Sequence, residues 1–241
     1  HKGLSDFDAF FLGFREGRMG NQLLMHELAP IFRRHYFLYD LSLSTDILRS
    51  IRRGIRTKGE EKLIDQYYQH AVLNKIKNNR RLLEQIGLST AEGKKVFIFG
   101  SPYQFKELCE AVGSTVTLND GSLVLFGGGW KSFSGEMISR DQLVKEISDS
   151  FSLPPDRILE GYSMTETSVL MLRCKYGRFH IPPLIEPIIF DDELTPLKGS
   201  VLKGIFGFMD PLAESYPGFV ISGDYVHMVD GECACGLTGP S

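Results

Sequence analysis

The sequence predicts an α/β protein: a largely parallel sheet flanked by helices, followed by a small antiparallel, barrel-like subdomain. Two observations carry this. Short, continuously apolar runs, several ending at glycine, alternate with stretches whose apolar residues recur at helical spacing. That is how strands buried on both faces and their crossover helices read. After Tyr162 the pattern changes to prolines and short strands. The division places an α/β region at residues 1–162 and a β-rich subdomain at residues 163–241.

The elements follow in order. Phe10-Phe11-Leu12-Gly13-Phe14 and Tyr36-Phe37-Leu38-Tyr39 are aromatic runs that read as strands. Between them, residues 21–34 carry Leu23, Leu24, Leu28 and Ile31 at helical spacing. Ser44 and Thr45 can cap a helix bearing Ile47, Leu48, Ile51 and Ile55, and a longer helical region follows over residues 63–86. Val96-Phe97-Ile98-Phe99-Gly100 is a strand ending in glycine, and residues 104–112 read as a helix. Ser122-Leu123-Val124-Leu125-Phe126 repeats the strand-then-glycine pattern, residues 141–151 form an amphipathic helix, and Ile158-Leu159-Glu160-Gly161-Tyr162 is a further strand. Short strands are then expected at residues 184–190, 204–209, 219–222 and 225–229.

A chain of 241 residues can bury one large core or two subdomains. No run approaches the roughly 18 uncharged apolar residues that cross a bilayer, so no membrane span is expected. The N-terminus, His1-Lys2-Gly3-Leu4-Ser5-Asp6, lacks a signal segment and an initiator Met, and reads as an excerpt of a longer chain. Four cysteines, two of them as Cys233-x-Cys235, do not make a disulfide framework, so a reduced, cytoplasmic protein is expected. Net charge is −3 but uneven. Residues 49–95 hold twelve Lys/Arg against five Asp/Glu, leaving the remainder acidic. With no aromatic interleaving of the kind that stacks bases, Tyr67-Tyr68 being one adjacent pair, this block reads as a solvated helical face, and nucleic acid is not an expected partner.

In a parallel sheet, ligands sit outside the carboxyl ends of the strands. Three strands end there in Gly100-Ser101-Pro102, Gly127-Gly128-Gly129 and Tyr162-Ser163-Met164-Thr165-Glu166, a rim where backbone amides could approach a nucleotide closely. The segment Gly161-Tyr162-Ser163-Met164-Thr165-Glu166-Thr167 resembles the YGMTE-type motif of the adenylate-forming superfamily, which includes acyl-CoA synthetases, luciferases and peptide-synthetase adenylation domains. Ser163 stands where glycine is common. The resemblance implies that Tyr162 stacks on adenine, Thr165 hydrogen-bonds the α-phosphate and Glu166 holds Mg²⁺ against the phosphates of ATP. Read without it, Thr165-Glu166 would be a helix cap.

Two further segments match in order. Gly127-Gly128-Gly129-Trp130-Lys131 falls where that superfamily has a glycine turn lining the adenine pocket. Ser222-Gly223-Asp224, approached through Ser215-Tyr216-Pro217-Gly218, resembles its TGD motif, whose Asp accepts from both ribose hydroxyls. The finer resemblance is to the acyl-protein synthetase family, the fatty-acid-activating component of bacterial bioluminescence reductases, and to the phenylacetate-CoA ligases. It is carried by the same glycine turn with Ser134-Gly135, and by Gly231-Glu232-Cys233-Ala234-Cys235-Gly236. These families imply that the chain is a fragment of the large N-terminal domain of an adenylate-forming enzyme, an acid–thiol ligase. It would activate a carboxylic, fatty acid as acyl-AMP and pass it to a thiol on CoA or a protein cysteine, with a partner reductase in the acyl-protein synthetases. They also imply a phosphate loop before residue 1, and an arginine and a mobile domain with a catalytic lysine after Ser241, so turnover by this stretch alone should be poor.

Cys174 and His180, with Cys233 and Cys235, make a three-thiolate, one-imidazole set suited to a closed, structural zinc site. The other reading is four unrelated reduced side chains. Cys109, beside Leu108 and Val112, reads as core, and His26, His35, His70 and His227 as incidental. Two alternatives to a fatty-acid-activating ligase stand: a phenylacetate-type acyl- or aryl-CoA ligase, and a non-catalytic, zinc-stabilised scaffold with the same fold.

Overall fold

The computed structural model describes residues 4–17, 20–43, 50, 53–54, 61–130, 137–213 and 218–241. The chain forms two compact units, His1–Leu159 and Glu160–Ser241.

In the first unit, strands β1 (Phe7–Gly17), β2 (Arg34–Leu43), β3 (Lys95–Gly100) and β4 (Leu123–Gly127) form a sheet of order β2-β1-β3-β4. Every pairing in it is parallel. Helix α1 (Gly20–Leu28) joins β1 to β2. Helix α2 (Glu61–Tyr67), a π-helical stretch (Tyr68–Leu73) and α3 (Lys75–Ala91) lead to β3. Helix α4 (Pro102–Ala111) lies between β3 and β4, and α5 (Arg140–Phe151) follows β4. The expected helix over residues 21–34 is shorter in fact. Pro30 cannot donate to a continuing α-helix, and a 3-10 turn, Ala29–Ile31, hands over to β2. The expected cap Ser44 or Thr45, with Ile47, Leu48, Ile51 and Ile55, lies outside the described residues.

One face of this sheet packs Phe10, Leu12, Val96, Ile98, Val124 and Phe126 against Leu82 and Ile86 of α3, Phe105 and Leu108 of α4, and Leu143, Ile147 and Phe151 of α5. The other face carries an aromatic layer, with Phe11 stacked on Phe37 at 5.1 Å and Phe32 on Phe97 at 5.0 Å. Helix α4 starts two residues before its expected position because Pro102 takes the first turn and the Gln104 carboxamide oxygen accepts from the Ser101 N–H at 2.9 Å. Ser139 caps α5 by accepting from Gln142 N–H at 3.2 Å. Cys109 packs against the core, and burial pushes its thiol up to about 11.

The second unit holds an antiparallel pair and an antiparallel sheet. Strand β5 (Ile158–Tyr162) enters it and pairs with β6 (Met171–Leu172). Strands β7 (Glu186–Phe190), β8 (Val201–Asp210), β9 (Gly218–Glu232) and β10 (Thr238–Pro240) form a curled sheet of order β10-β9-β8-β7. Its core is Met171, Ile185, Ile189, Phe206, Phe208 and Met228. The two strands expected at residues 219–222 and 225–229 are one strand, β9, interrupted by a bulge. Ile205 pairs with Tyr225 and Gly207 with Ile221, so Ser222-Gly223-Asp224 stands opposite Phe206 alone.

Candidate functional site

The second unit brings together most of the residues singled out by sequence. Gly161 and Tyr162 end β5, where Tyr162 pairs with Met171. The chain then turns through Ser163, Met164, Thr165 and Glu166 as a loop, not as the first turn of a helix. On the other side of the unit, the bulge in β9 lifts Asp224 out of the ladder. The Ser222 hydroxyl donates to the Phe206 carbonyl at 2.8 Å and accepts from the Asp224 N–H at 3.2 Å, which fixes the bulge from within. The result is a direct meeting: the Tyr162 hydroxyl donates to the exposed Asp224 carboxylate. Burial first, and the neighbouring Asp224 second, hold the Tyr162 phenol well above its ordinary value, so it stays protonated as a donor. The Tyr162 ring lies 6.0 Å from that of Phe179.

In the loop, the Thr165 hydroxyl donates to the Glu166 carboxylate at 2.9 Å, leaving a hydroxyl and a carboxylate side by side near solvent. Sequence reasoning missed what holds this loop in place. Asp210, the last residue of β8, is 3% exposed. Its carboxylate accepts from the Ser168 N–H at 2.7 Å, the Ser168 hydroxyl at 2.8 Å, the Thr167 hydroxyl at 3.1 Å and the Leu212 N–H at 3.0 Å. Burial alone would raise this carboxyl, but the Ser168, Leu212 and Thr167 donors outweigh it and hold it below the usual range. Nothing near Asp210 in sequence signals its hold on the loop, because its loop partners Ser168 and Thr167 lie 42 and 43 residues away.

Cys174, His180, Cys233 and Cys235 converge, with one ligand atom from each lying within 4.8 Å of the others. Two turns of the same design carry the cluster. Cys174 N–H donates to Arg178 O and Gly177 N–H to Cys174 O; Cys233 N–H donates to Leu237 O and Gly236 N–H to Cys233 O. Gly177 (φ 86°) and Gly236 (φ 92°) adopt the left-handed backbone both turns require. The repeat Cys-x-x-Gly in Cys174-Lys175-Tyr176-Gly177 and Cys233-Ala234-Cys235-Gly236 was the available sequence signal. The Cys174 and Cys233 sulfurs are 3.8 Å apart, and Cys235 Sγ lies 3.2 Å from His180 Nε2. Two sulfurs each about 2.3 Å from a tetrahedral ion would be about 3.8 Å apart, so this donor set fits such an ion. Burial opposes the Cys174 thiolate, but the Arg178 N–H, His180, the Tyr176 N–H and Cys233 bring its thiol down to about 6.

Gly127, Gly128, Gly129 and Trp130 lie in the first unit, at and after the end of β4. Lys131, Ser134, Gly135 and Ser215-Tyr216-Pro217 lie outside the described residues. Gly100 does not open toward a ligand. A Cβ there would meet Leu12 at 2.7 Å, so this glycine serves strand packing. Among the described residues, no helix is long and apolar enough to cross a membrane.

The structure of 2-hydroxyisobutyryl-CoA ligase in an open conformation, in complex with 2-HIB-AMP and CoA, aligns over 99% of this chain and 47% of that one, with a TM-score of 0.56 at 13% identity. The chain therefore shares the fold of that structure. The family described as "Acyl-protein synthetase, LuxE" matches residues 67–241, and the chain belongs to it. Long-chain-fatty-acid–luciferin-component ligase of Vibrio harveyi is 26% identical over 137 residues, covering 55% of this chain and 36% of that protein. Its counterpart in Aliivibrio fischeri is 25% identical over 136 residues, covering 54% and 36%. The chain thus spans about a third of the length of these relatives.

Proposed function

We propose that this chain supplies part of the nucleotide floor of an enzyme that uses ATP to activate a long-chain fatty acid as acyl-AMP, for transfer to a thiol of CoA or a protein cysteine. The observation that carries it is the meeting of Tyr162 and Asp224, brought together from β5 and from the bulge of β9. In this reading the Tyr162 ring stacks on adenine and the Asp224 carboxylate accepts from the ribose hydroxyls. The paired Thr165 hydroxyl and Glu166 carboxylate face the phosphates, where a magnesium ion held by Glu166 would neutralise charge. Family membership supports acid activation, and the name of the Vibrio harveyi relative supports a long-chain fatty acid, while a partner reductase rests on the sequence resemblance alone. Roles for Gly127, Gly128, Gly129, Trp130 and Lys131 rest on sequence resemblance alone.

The Cys174, His180, Cys233 and Cys235 set would hold a structural zinc, since four protein ligands leave no open position for chemistry. Four cysteines outside any disulfide, three of them in the proposed zinc set, suit a reducing, cytoplasmic setting. The carrying observation is tested by titrating AMP into the full-length protein and its Asp224→Ala variant by calorimetry. Loss of charge-assisted hydrogen bonds to the ribose should weaken binding by about 2–4 kcal/mol. Unchanged affinity in a folded variant removes Asp224 from the site.

A further inference from the structure

A cavity of about 590 Å³ opens in the second unit, with Tyr162 and Asp224 in its lining. Its two walls come from different places. One is β9, which supplies Asp224, Val226 and Met228. The other carries Gly177 and Phe179 and is a tight hairpin. In it Arg173 bridges Phe179 in antiparallel fashion, and Gly177 turns the chain in a left-handed conformation. The bonds at its tip, Cys174 N–H to Arg178 O and Gly177 N–H to Cys174 O, are internal to the hairpin. Arg173 N–H to Glu160 O and Ile181 N–H to Pro240 O anchor its ends.

The four cluster ligands divide between these walls. Cys174 opens the hairpin turn and His180 directly follows Phe179, whereas Cys233 and Cys235 lie in the turn after β9. An ion bound by all four joins the hairpin to the end of β9 and fixes where Phe179 stands. The Phe179 ring lies 6.0 Å from that of Tyr162, and both pack on the core of the unit. Tyr162 is the ring assigned to adenine, so whatever seats Phe179 also seats the stacking surface.

We propose that Phe179 is a positioning residue of the nucleoside site, seated by zinc through Cys174 and His180, so that zinc occupancy and nucleotide affinity are coupled. This rests on the nucleotide reading of Tyr162 and Asp224 and on the zinc reading of the cluster, and it adds the link between them. A metal that only stabilised the fold would leave the affinity of folded protein unchanged. Coupling is reciprocal: the factor by which zinc tightens AMP is the factor by which AMP tightens zinc.

The test is calorimetric titration of adenosine and AMP into the full-length protein, zinc-loaded and chelator-stripped, as wild type and Phe179→Leu. Zinc affinity is measured alongside by competition with a chromophoric chelator, with and without saturating AMP. Stripping zinc from the wild type should weaken adenosine and AMP alike, by about tenfold, and AMP should tighten zinc by the same factor. Phe179→Leu should keep its zinc, weaken AMP about threefold or more, and show a smaller loss on stripping. Stripped protein that is folded by circular dichroism and binds AMP as tightly as before overturns the proposal. So does Phe179→Leu with wild-type affinity, an arm that decides the matter even if stripped protein unfolds. Wild-type protein that holds no zinc overturns it too. Zinc-loaded wild type that binds neither adenosine nor AMP instead brings down the nucleotide reading on which the proposal stands.

Discussion

Tyr162 has two separable parts, a ring and a hydroxyl, and the site uses them differently. The ring lies near Phe179 and is half-buried; the hydroxyl donates to Asp224. Tyr162→Phe keeps the stacking surface and frees an exposed carboxylate that water can solvate, so AMP affinity should change by less than about 1 kcal/mol. Tyr162→Ala removes the stacking platform and should cost about 1–3 kcal/mol. Calorimetry on both variants checks the division. If Phe weakens AMP as much as Ala does, the hydroxyl rather than the ring is the group that matters. Tyr162 was legible in sequence because its motif is local, whereas its partnership with Asp224, 62 residues on, exists only through the fold.

At the scale of elements, the loop after β5 and the two cysteine turns decide how the site is held. Asp210 clamps the loop through Thr167 and Ser168, directly after Thr165 and Glu166. Asp210→Asn keeps the shape but loses the charge and an acceptor, at a cost of about 1–3 kcal/mol. Melting should fall by about 2–8 °C and kcat should fall with little change in KM for ATP. An unchanged melting temperature and kcat would deny Asp210 both roles. The cysteine turns join positions 59 residues apart. Restricting so long a loop stabilises the folded state by several kcal/mol in principle. Protein purified without added metal should carry about one zinc per chain by elemental analysis. Cys233→Ser should lose it and melt at a lower temperature. Metal-free wild-type protein with the same melting as the variant would refute the zinc assignment. The bulge in β9 shows why element boundaries were only partly legible: Ser222-Gly223-Asp224 interrupts the apolar pattern as a turn would, yet the ladder resumes on both sides with β8.

At the scale of the whole molecule, acid stability follows in part from Asp8, a buried carboxylate of the first unit. The Asp8 side chain is fully buried and paired with Arg33 and Arg34 at 2.8 and 2.7 Å. Burial would raise its carboxyl, but Arg34, Arg33 and Ser89 lower it from 3.8 to about 2. A depressed folded value means stability that is present above the unfolded value and lost as pH falls through the folded one. Asp8 should therefore contribute about 2 kcal/mol above pH ~5, fading between about 4 and 2. Wild type and Asp8→Asn should converge in stability over that window in urea unfolding; a constant gap would contradict the assignment. The parallel sheet and its helices were legible because β3, β4 and α5 each satisfy a local rule: apolar runs closed by glycine, or an apolar stripe at helical spacing. Asp8 and Asp210 were not, because each acquires its role from partners that only the fold supplies. The activity proposed for the full-length protein is ATP-dependent activation of an acid. Its most direct measurement is the exchange of labelled pyrophosphate into ATP by the full-length protein, with and without a long-chain fatty acid and saturating Mg²⁺. Exchange should require the acid, and Glu166→Gln should slow it far more than it weakens ATP binding. A folded protein with no acid-dependent exchange, or a Glu166→Gln variant as fast as wild type, would contradict the account.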